Sequence, residues 1–267
     1  MQRRAARRAA LALFASRAGA ASTLPELALV HGWVDHPPAG SKQLLLIRHA
    51  EGWHNKDARE LPNYFVDGLG HTERYRDARL TPQGESEAEA LRQTLLARSL
   101  ARPELVAVSP LTRALETATI AFGNGTGAPR YVATSLARER IWDHTCDWRR
   151  PRHVLEREFP HCSFGELAEG DHDEMWAAKE DDDGGVRDAR TWNSSAVAAR
   201  ARALLRWLHA REESTAAVVS HWVFLSHLTR PHGDAALAAP FNNAEVRLAT
   251  LLPRTSAADE PAHGDEV

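Results

Sequence analysis

At 267 residues the chain can bury a full core, and its 43% hydrophobic and 26% charged content is that of a folded domain, which excludes wholesale disorder. A formal net charge of -3 gives no overall attraction to nucleic acid or an anionic membrane, so any anion must be held by a local cluster. The 2 cysteines, Cys146 and Cys162, are too few for a disulfide framework and point to a reduced compartment, and no apolar run approaches the roughly 20 residues of a membrane span.

Met1 to Thr23 carries Arg3, Arg4, Arg7, Arg8 and Arg17 among alanines and leucines, and the first acidic residue is Glu26. That is the composition of an organelle transit peptide, with a retained basic amphipathic helix or a start codon placed too early as the alternatives. A mitochondrion or plastid is the expected location in the first case and the cytoplasm otherwise. Leu24 to Gly40, with Pro25, Pro37, Pro38 and Gly40, reads as a linker, so residues 1–40 are expected to precede a catalytic domain over 41–252. Pro253 to Val267 is polar and acidic with no period, the pattern of a disordered tail.

Inside the domain, Leu44 to Ile47 reads as a strand buried on both faces that ends in Arg48 and His49. Lys56 to Arg79 shows no sustained period and reads as a lid-like excursion with a short helix. Thr81 and Pro82 then supply an N-cap and first helical residue, and Ala88, Leu91, Leu95 and Leu96 share one helical face. Glu104 to Val108 is a second strand, followed by Ser109-Pro110-Leu111-Thr112-Arg113 and a helix through Ala121. Arg130 to Ala133 is a third strand, leading to Glu139. Trp142 to Gly185 fits an insertion of short helices, with Asp181-Asp182-Asp183 as a solvated loop. Its His144, Cys146, His153, His161, Cys162 and His172 are too irregularly spaced for a zinc site, so no metal is expected. A helical stripe over Ala196 to Ala210, a strand Ala216 to Val219 ending in Ser220-His221, a further helix and a last strand Glu245 to Leu251 complete the domain. Alternating strands and helices imply a three-layer α/β sandwich with a mixed, mostly parallel sheet and helices on both faces.

In such a sheet the carboxyl ends of the strands form one ligand-binding rim, and here they deliver Arg48 and His49, Arg113, Glu139 and His221. Phosphoryl transfer through a phosphohistidine needs this set. Arginine forks hold phosphoryl oxygens, one imidazole attacks while the other donates a hydrogen bond, and a carboxyl group protonates the leaving oxygen. No cofactor is required, and the expected partner is a small phosphorylated molecule; the sequence assigns no oligomeric state.

The chain resembles the histidine phosphatase superfamily, the phosphoglycerate mutase-like enzymes. The resemblance rests on Arg48-His49, Asn55, Leu80-Thr81-x-x-Gly84, Ser109-Pro110-Leu111-x-Arg113-Ala114-x-x-Thr117-Ala118 and Val219-Ser220-His221. Arg-His-Ala-x-Gly-x-His-Asn from Arg48, together with Asp77-Ala78-x-Leu80-Thr81 and His144-Thr145-Cys146-Asp147, is similar to the plant and fungal members. The resemblance implies that His49 is the phosphorylated nucleophile and that Arg48, Arg113 and His221 form the phosphate pocket, with Asn55 nearby. Glu139 falls at the family's proton-donor position, with Asp143 as the competing carboxylate. Ala50, Glu87 and Trp222 depart from the commonest pattern, where glycine, glutamine and glycine are frequent. The expectation is a metal-independent phosphomonoester hydrolase. Its alternatives are a mutase on the same fold, against which Gly52-Trp53-His54-Asn55 argues, and a silent phosphate-binding module, which would have lost His49 or Glu139.

Overall fold

The computed structural model describes residues 26–66, 68–100, 102–167, 170–178 and 194–254. The basic N-terminal segment and the Asp181–Gly185 run lie outside them. Seven strands form one sheet: β1 (Glu26–His31), β2 (Lys42–Arg48), β3 (Leu105–Val108), β4 (Arg130–Ala133), β5 (Cys162–Ser163), β6 (Thr215–Ser220) and β7 (Val246–Arg254). Their spatial order is β1-β7-β2-β6-β3-β4-β5. From β2 to β5 every neighbouring pair is parallel, whereas β7 runs antiparallel to both β2 and β1.

The unbroken apolar runs have a direct cause. Along β2, Leu44 and Leu46 join the core beneath helices Ser195–His209 and Trp222–Thr229, with Leu204, Leu208, Phe224 and Leu225. Leu45 and Ile47 point the other way, to Leu91 and Leu95 of helix Pro82–Ala97 and Ala114 and Leu115 of helix Thr112–Phe122. A strand covered on both faces has no solvent side on which to place polar residues.

Two strands escape the sequence pattern. The Leu24–Gly40 linker is overturned at Glu26–His31, which pairs with β7 from Glu26↔Arg254 to His31↔Ala249 and buries Leu29. The run is of strand length, but Pro25 before it and Pro37-Pro38 after it give the segment a linker's composition. The pairing also carries β7 through Pro253, so the sheet takes in the first residues assigned to the tail. The insertion does hold short helices, Arg152–Glu158 and Glu174–Ala178, and it returns Cys162–Ser163 to the sheet edge as β5, too short to carry a period. Among the described residues no helix is long and apolar enough to cross a membrane.

Register sets the rim. Arg48 lies opposite Ser220, and Val108 lies between Val219 and Ala133, so β2, β6, β3 and β4 end nearly level. The loop after β2 is then pressed onto helix Pro82–Ala97. Thr81 caps that helix, its hydroxyl accepting from Gly84 N at 3.0 Å and donating to Glu51 Oε1 at 2.7 Å. A Cβ on Gly84 would sit 2.0 Å from Glu51 O, which explains the glycine in Leu-Thr-x-x-Gly. Gly84→Ala is expected to lower stability by at least about 1–3 kcal/mol, the scale of overpacking. Gly125→Ala, where a Cβ meets nothing within 4 Å, should change it by less than about 0.5 kcal/mol. Urea midpoints of the two variants check the contrast.

Candidate active site

His49 is the first residue beyond β2 and is 2% exposed. Its backbone is held by Ser220 O, which accepts from His49 N at 2.9 Å, and by Asn243, whose Nδ2 donates to His49 O at 3.0 Å. The ring is fixed as firmly. Its Nδ1 lies 2.7 Å from Ala50 O, and a carbonyl can only accept, so Nδ1 carries the proton and Nε2 keeps its lone pair. Arg113 Nε donates to that Nε2 at 3.3 Å. Burial, followed by Arg113 and Arg48, drives the imidazole pKa well below its ordinary value. A neutral ring with Nε2 unprotonated is the nucleophilic state.

Arg113 is 1% exposed in the first turn of helix Thr112–Phe122. Its Nη1 donates to Cys146 O at 2.5 Å and its Nη2 to Asp147 Oδ1 at 2.9 Å. The helix is aimed by Asp77, which holds a left-handed φ of 46° and accepts from Thr112 N at 2.8 Å and Thr112 Oγ1 at 2.6 Å. One turn on from Arg113, Thr117 Oγ1 donates to Arg113 O and accepts from Ala50 N at 3.0 Å. The Arg-x-x-x-Thr spacing therefore puts on one helix face the residue that faces His49 and the residue that fixes its chain. Ala50, where glycine is frequent, is not among the described residues with positive φ, so its Cβ adds no strain.

His221 caps helix Trp222–Thr229 with its ring 4.9 Å from that of His49, and its Nε2 lies 2.7 Å from Ser109 Oγ. Burial, with Arg113, holds it neutral too. Glu139 binds the N-terminus of the same helix. Its carboxylate accepts from Val223 N at 3.2 Å, Phe224 N at 3.1 Å and Arg140 N at 2.8 Å. These amides favour the charged form, yet burial and then Asp147 outweigh them and raise the pKa above the ordinary carboxylate value. The backbone under Glu139 is clamped by the buried Arg200, which donates to Arg138 O at 2.7 Å and Glu139 O at 3.0 Å.

Arg48 donates from Nη1 to Phe241 O at 2.8 Å, and its Nε has no partner among the described residues. Asn55 is engaged locally, its Oδ1 accepting from Gly52 N at 3.1 Å in the first turn of helix Trp53–Glu60. Asp143 acts electrostatically on His144. Of the six site residues expected from sequence, Arg48, His49, Arg113, Glu139 and His221 share the rim, and Asn55 sits beside it with its Oδ1 engaged at the helix start.

Three residues of this site lay outside the sequence-level set. Asp147 pairs with Arg113, Ser109 fixes His221, and His54 places its ring 5.7 Å from that of His49. Their signal was membership of the quoted motifs; nothing else in the sequence marks them. Asp147 is itself anchored, since Arg138 donates to Asp147 O at 2.7 Å and grips Asp173 with two bonds of 2.6 and 2.7 Å.

Comparison with known proteins bears on the family of the chain. The sequence profile of the histidine phosphatase superfamily (branch 1) matches residues 44–144, the span that carries His49, Arg113 and Glu139. A phosphoglycerate mutase-like protein of Arabidopsis thaliana is 29% identical over 253 residues, covering 82% of this chain and 88% of the relative. Phosphoglycerate mutase-like protein 1 of the same plant is 30% identical over 254 residues, covering 82% and 84%. Among solved structures, mycobacterial hydrolase 1 shares 18% identity at a TM-score of 0.45, with 79% of this chain and 92% of that one covered. With 30% identity to the second plant relative over more than four-fifths of both chains, this chain belongs to the histidine phosphatase superfamily, among its phosphoglycerate mutase-like members.

Proposed function

We propose that the protein hydrolyses small phosphomonoesters through a phosphohistidine at His49. The observation that carries this reading is the tautomer. With Nδ1–H committed to Ala50 O, Nε2 is the unprotonated nitrogen, and its lone pair, which accepts from Arg113 Nε, is freed for attack when that guanidinium turns to the incoming phosphoryl group. Nε2 forms the new bond to phosphorus as the bond to the leaving oxygen breaks. Arg48 and Arg113 carry the phosphoryl oxygens, and His221, steadied by Ser109, donates an N–H to them. Glu139, its pKa raised, gives its proton to the departing oxygen. In the second half it takes a proton from the water that attacks the phosphohistidine, and phosphate leaves. Two guanidinium groups supply the positive charge that a metal supplies elsewhere.

Transient labelling tests the scheme as a whole. Wild-type protein quenched during turnover of nitrophenyl phosphate should hold an acid-labile phosphate, with activity that survives excess chelator and is inhibited by vanadate. His49→Ala should lose the label and nearly all turnover. Label on another histidine would move the nucleophile, and transfer to a phosphorylated sugar acid instead of water would make the protein a mutase.

Arg113→Lys keeps the charge and loses the planar fork that reaches His49, Cys146 and Asp147 together. Its kcat/KM should fall by about 2–4 kcal/mol of transition-state stabilisation. A lysine variant with near-normal kinetics would leave Arg113 a purely structural ion.

Glu139→Gln separates the proton donor from the rest. Alkyl phosphates need a proton on the leaving oxygen, so their hydrolysis should fall roughly 10²–10⁴-fold, with a much smaller loss for nitrophenyl phosphate. The pH profile carries the same sign. A raised pKa keeps the acid protonated to higher pH, and the alkyl-phosphate rate should decline as pH rises through it. Asp143→Asn should show no such split between substrates; a split there would reassign the donor.

A further inference from the structure

His54 lies in the first turn of helix Trp53–Glu60 and is 9% exposed. Its ring centroid is 5.7 Å from that of His49, at an interplanar angle of 41°. The ring occupies the space that a side chain at position 52 would take. A Cβ on Gly52 would fall 2.8 Å from His54 Nδ1 and 2.9 Å from Cε1. Gly52 is therefore the residue that admits His54, and the two positions act together.

The imidazole is left unsatisfied. Nδ1 is buried without a hydrogen-bond partner, and Nε2 bonds to none of the described residues. Leaving a buried donor or acceptor unmet costs about 1–3 kcal/mol. The two nitrogens are not equivalent. A buried unmet N–H is rarer than an unmet lone pair, so the proton belongs on Nε2, leaving the lone pair of Nδ1 against Gly52. Burial, with Arg113, His49 and Arg48, keeps the ring neutral, so it neither delivers a proton nor adds charge. It carries one N–H on a ring whose centroid lies 5.7 Å from that of the nucleophile.

We propose that His54 is a further phosphate-positioning residue, its Nε2–H donating to an oxygen of the phosphoryl group that His49 receives. The role rests on the phosphohistidine reading given above. It assigns His54 a hydrogen bond that neither arginine makes, and it gives Gly52 a function through the ring it accommodates.

The test compares wild-type protein with His54→Phe, which keeps a buried ring and removes the N–H. Inhibition by orthovanadate and by inorganic phosphate should weaken roughly 10- to 100-fold, the worth of one hydrogen bond to a charged group. The melting temperature should hold or rise, because an unmet polar group has been replaced by an apolar one. His54→Gln retains an N–H and should recover part of the affinity. Undiminished vanadate affinity in His54→Phe overturns the proposal. So does a loss that comes with a lower melting temperature and is equal in the glutamine variant, since that marks a packing role. Should His54→Phe fail to fold, nitrogen-15 spectra of the wild-type histidines decide instead. A His54 ring protonated at Nε2 and shifted there by saturating vanadate supports the role; an Nδ1–H tautomer or an unmoved resonance removes it. Wild-type protein that neither hydrolyses nitrophenyl phosphate nor binds vanadate would bring down the phosphohistidine reading itself, a result separate from any involving His54 alone.

Discussion

The buried guanidinium of Arg113 is the interaction on which the rest of this structure depends. A charge at 1% exposure must find partners, and here they come from two parts of the chain far apart in sequence. His49 comes from the end of β2, Cys146 and Asp147 from the turn that opens the insertion, and the helix under Arg113 is aimed by Asp77 from the excursion after β2. Removing one partner of such a buried pair costs about 3–5 kcal/mol, so these contacts fix the geometry strongly. The charge that would hold phosphate is also the charge that fastens the end of β2 and the turn opening the insertion to each other.

The electrostatics follow from the same burial. Three imidazoles, His49, His54 and His221, share a small volume with Arg48 and Arg113, and all three have pKa values driven well below normal, chiefly by burial. Dense positive charge therefore accumulates on the groups that cannot lose it, while the rings remain neutral. The carboxylates respond in the opposite sense. Burial, then repulsion between them, lifts Glu139, and burial lifts Asp147 despite its bond to Arg113. One desolvated pocket thus lowers the imidazoles and raises the carboxyls, bringing the two kinds of group closer together in affinity for a proton.

Much of this was legible in the sequence because strands buried on both faces leave an unmistakable mark. β2, β3, β4 and β6 are apolar runs that stop at polar turns, and those turns carry Arg48, His49, Arg113, Glu139 and His221. β1 and β5 were not legible, one hidden by flanking prolines and the other only two residues long. The supporting shell was hidden for a different reason. Asp147 meets Arg113 across 34 residues, and Glu139 takes the amides of Val223 and Phe224 across more than 80. Periodicity is a local signal, and a hydrogen bond made by folding leaves no trace in it. Asn55 shows the converse, because the motif that marks it as a pocket residue also marks the first turn of a helix.

The clasp of Arg138 on Asp173 has a consequence for how the molecule opens. Both side chains are fully buried, and the same guanidinium holds the carbonyl of Asp147. Asp173 in turn accepts from Arg149 N, whose own guanidinium grips the carbonyls of Gly170, Asp171 and His172. Detaching the stretch around Asp173 strips the carboxylate from the buried guanidinium that holds Asp147, and Asp147 is in turn a partner of Arg113. The described residues of the insertion are therefore tied to the rim through shared buried charges, a coupling that favours their opening as one unit over release of a separable flap.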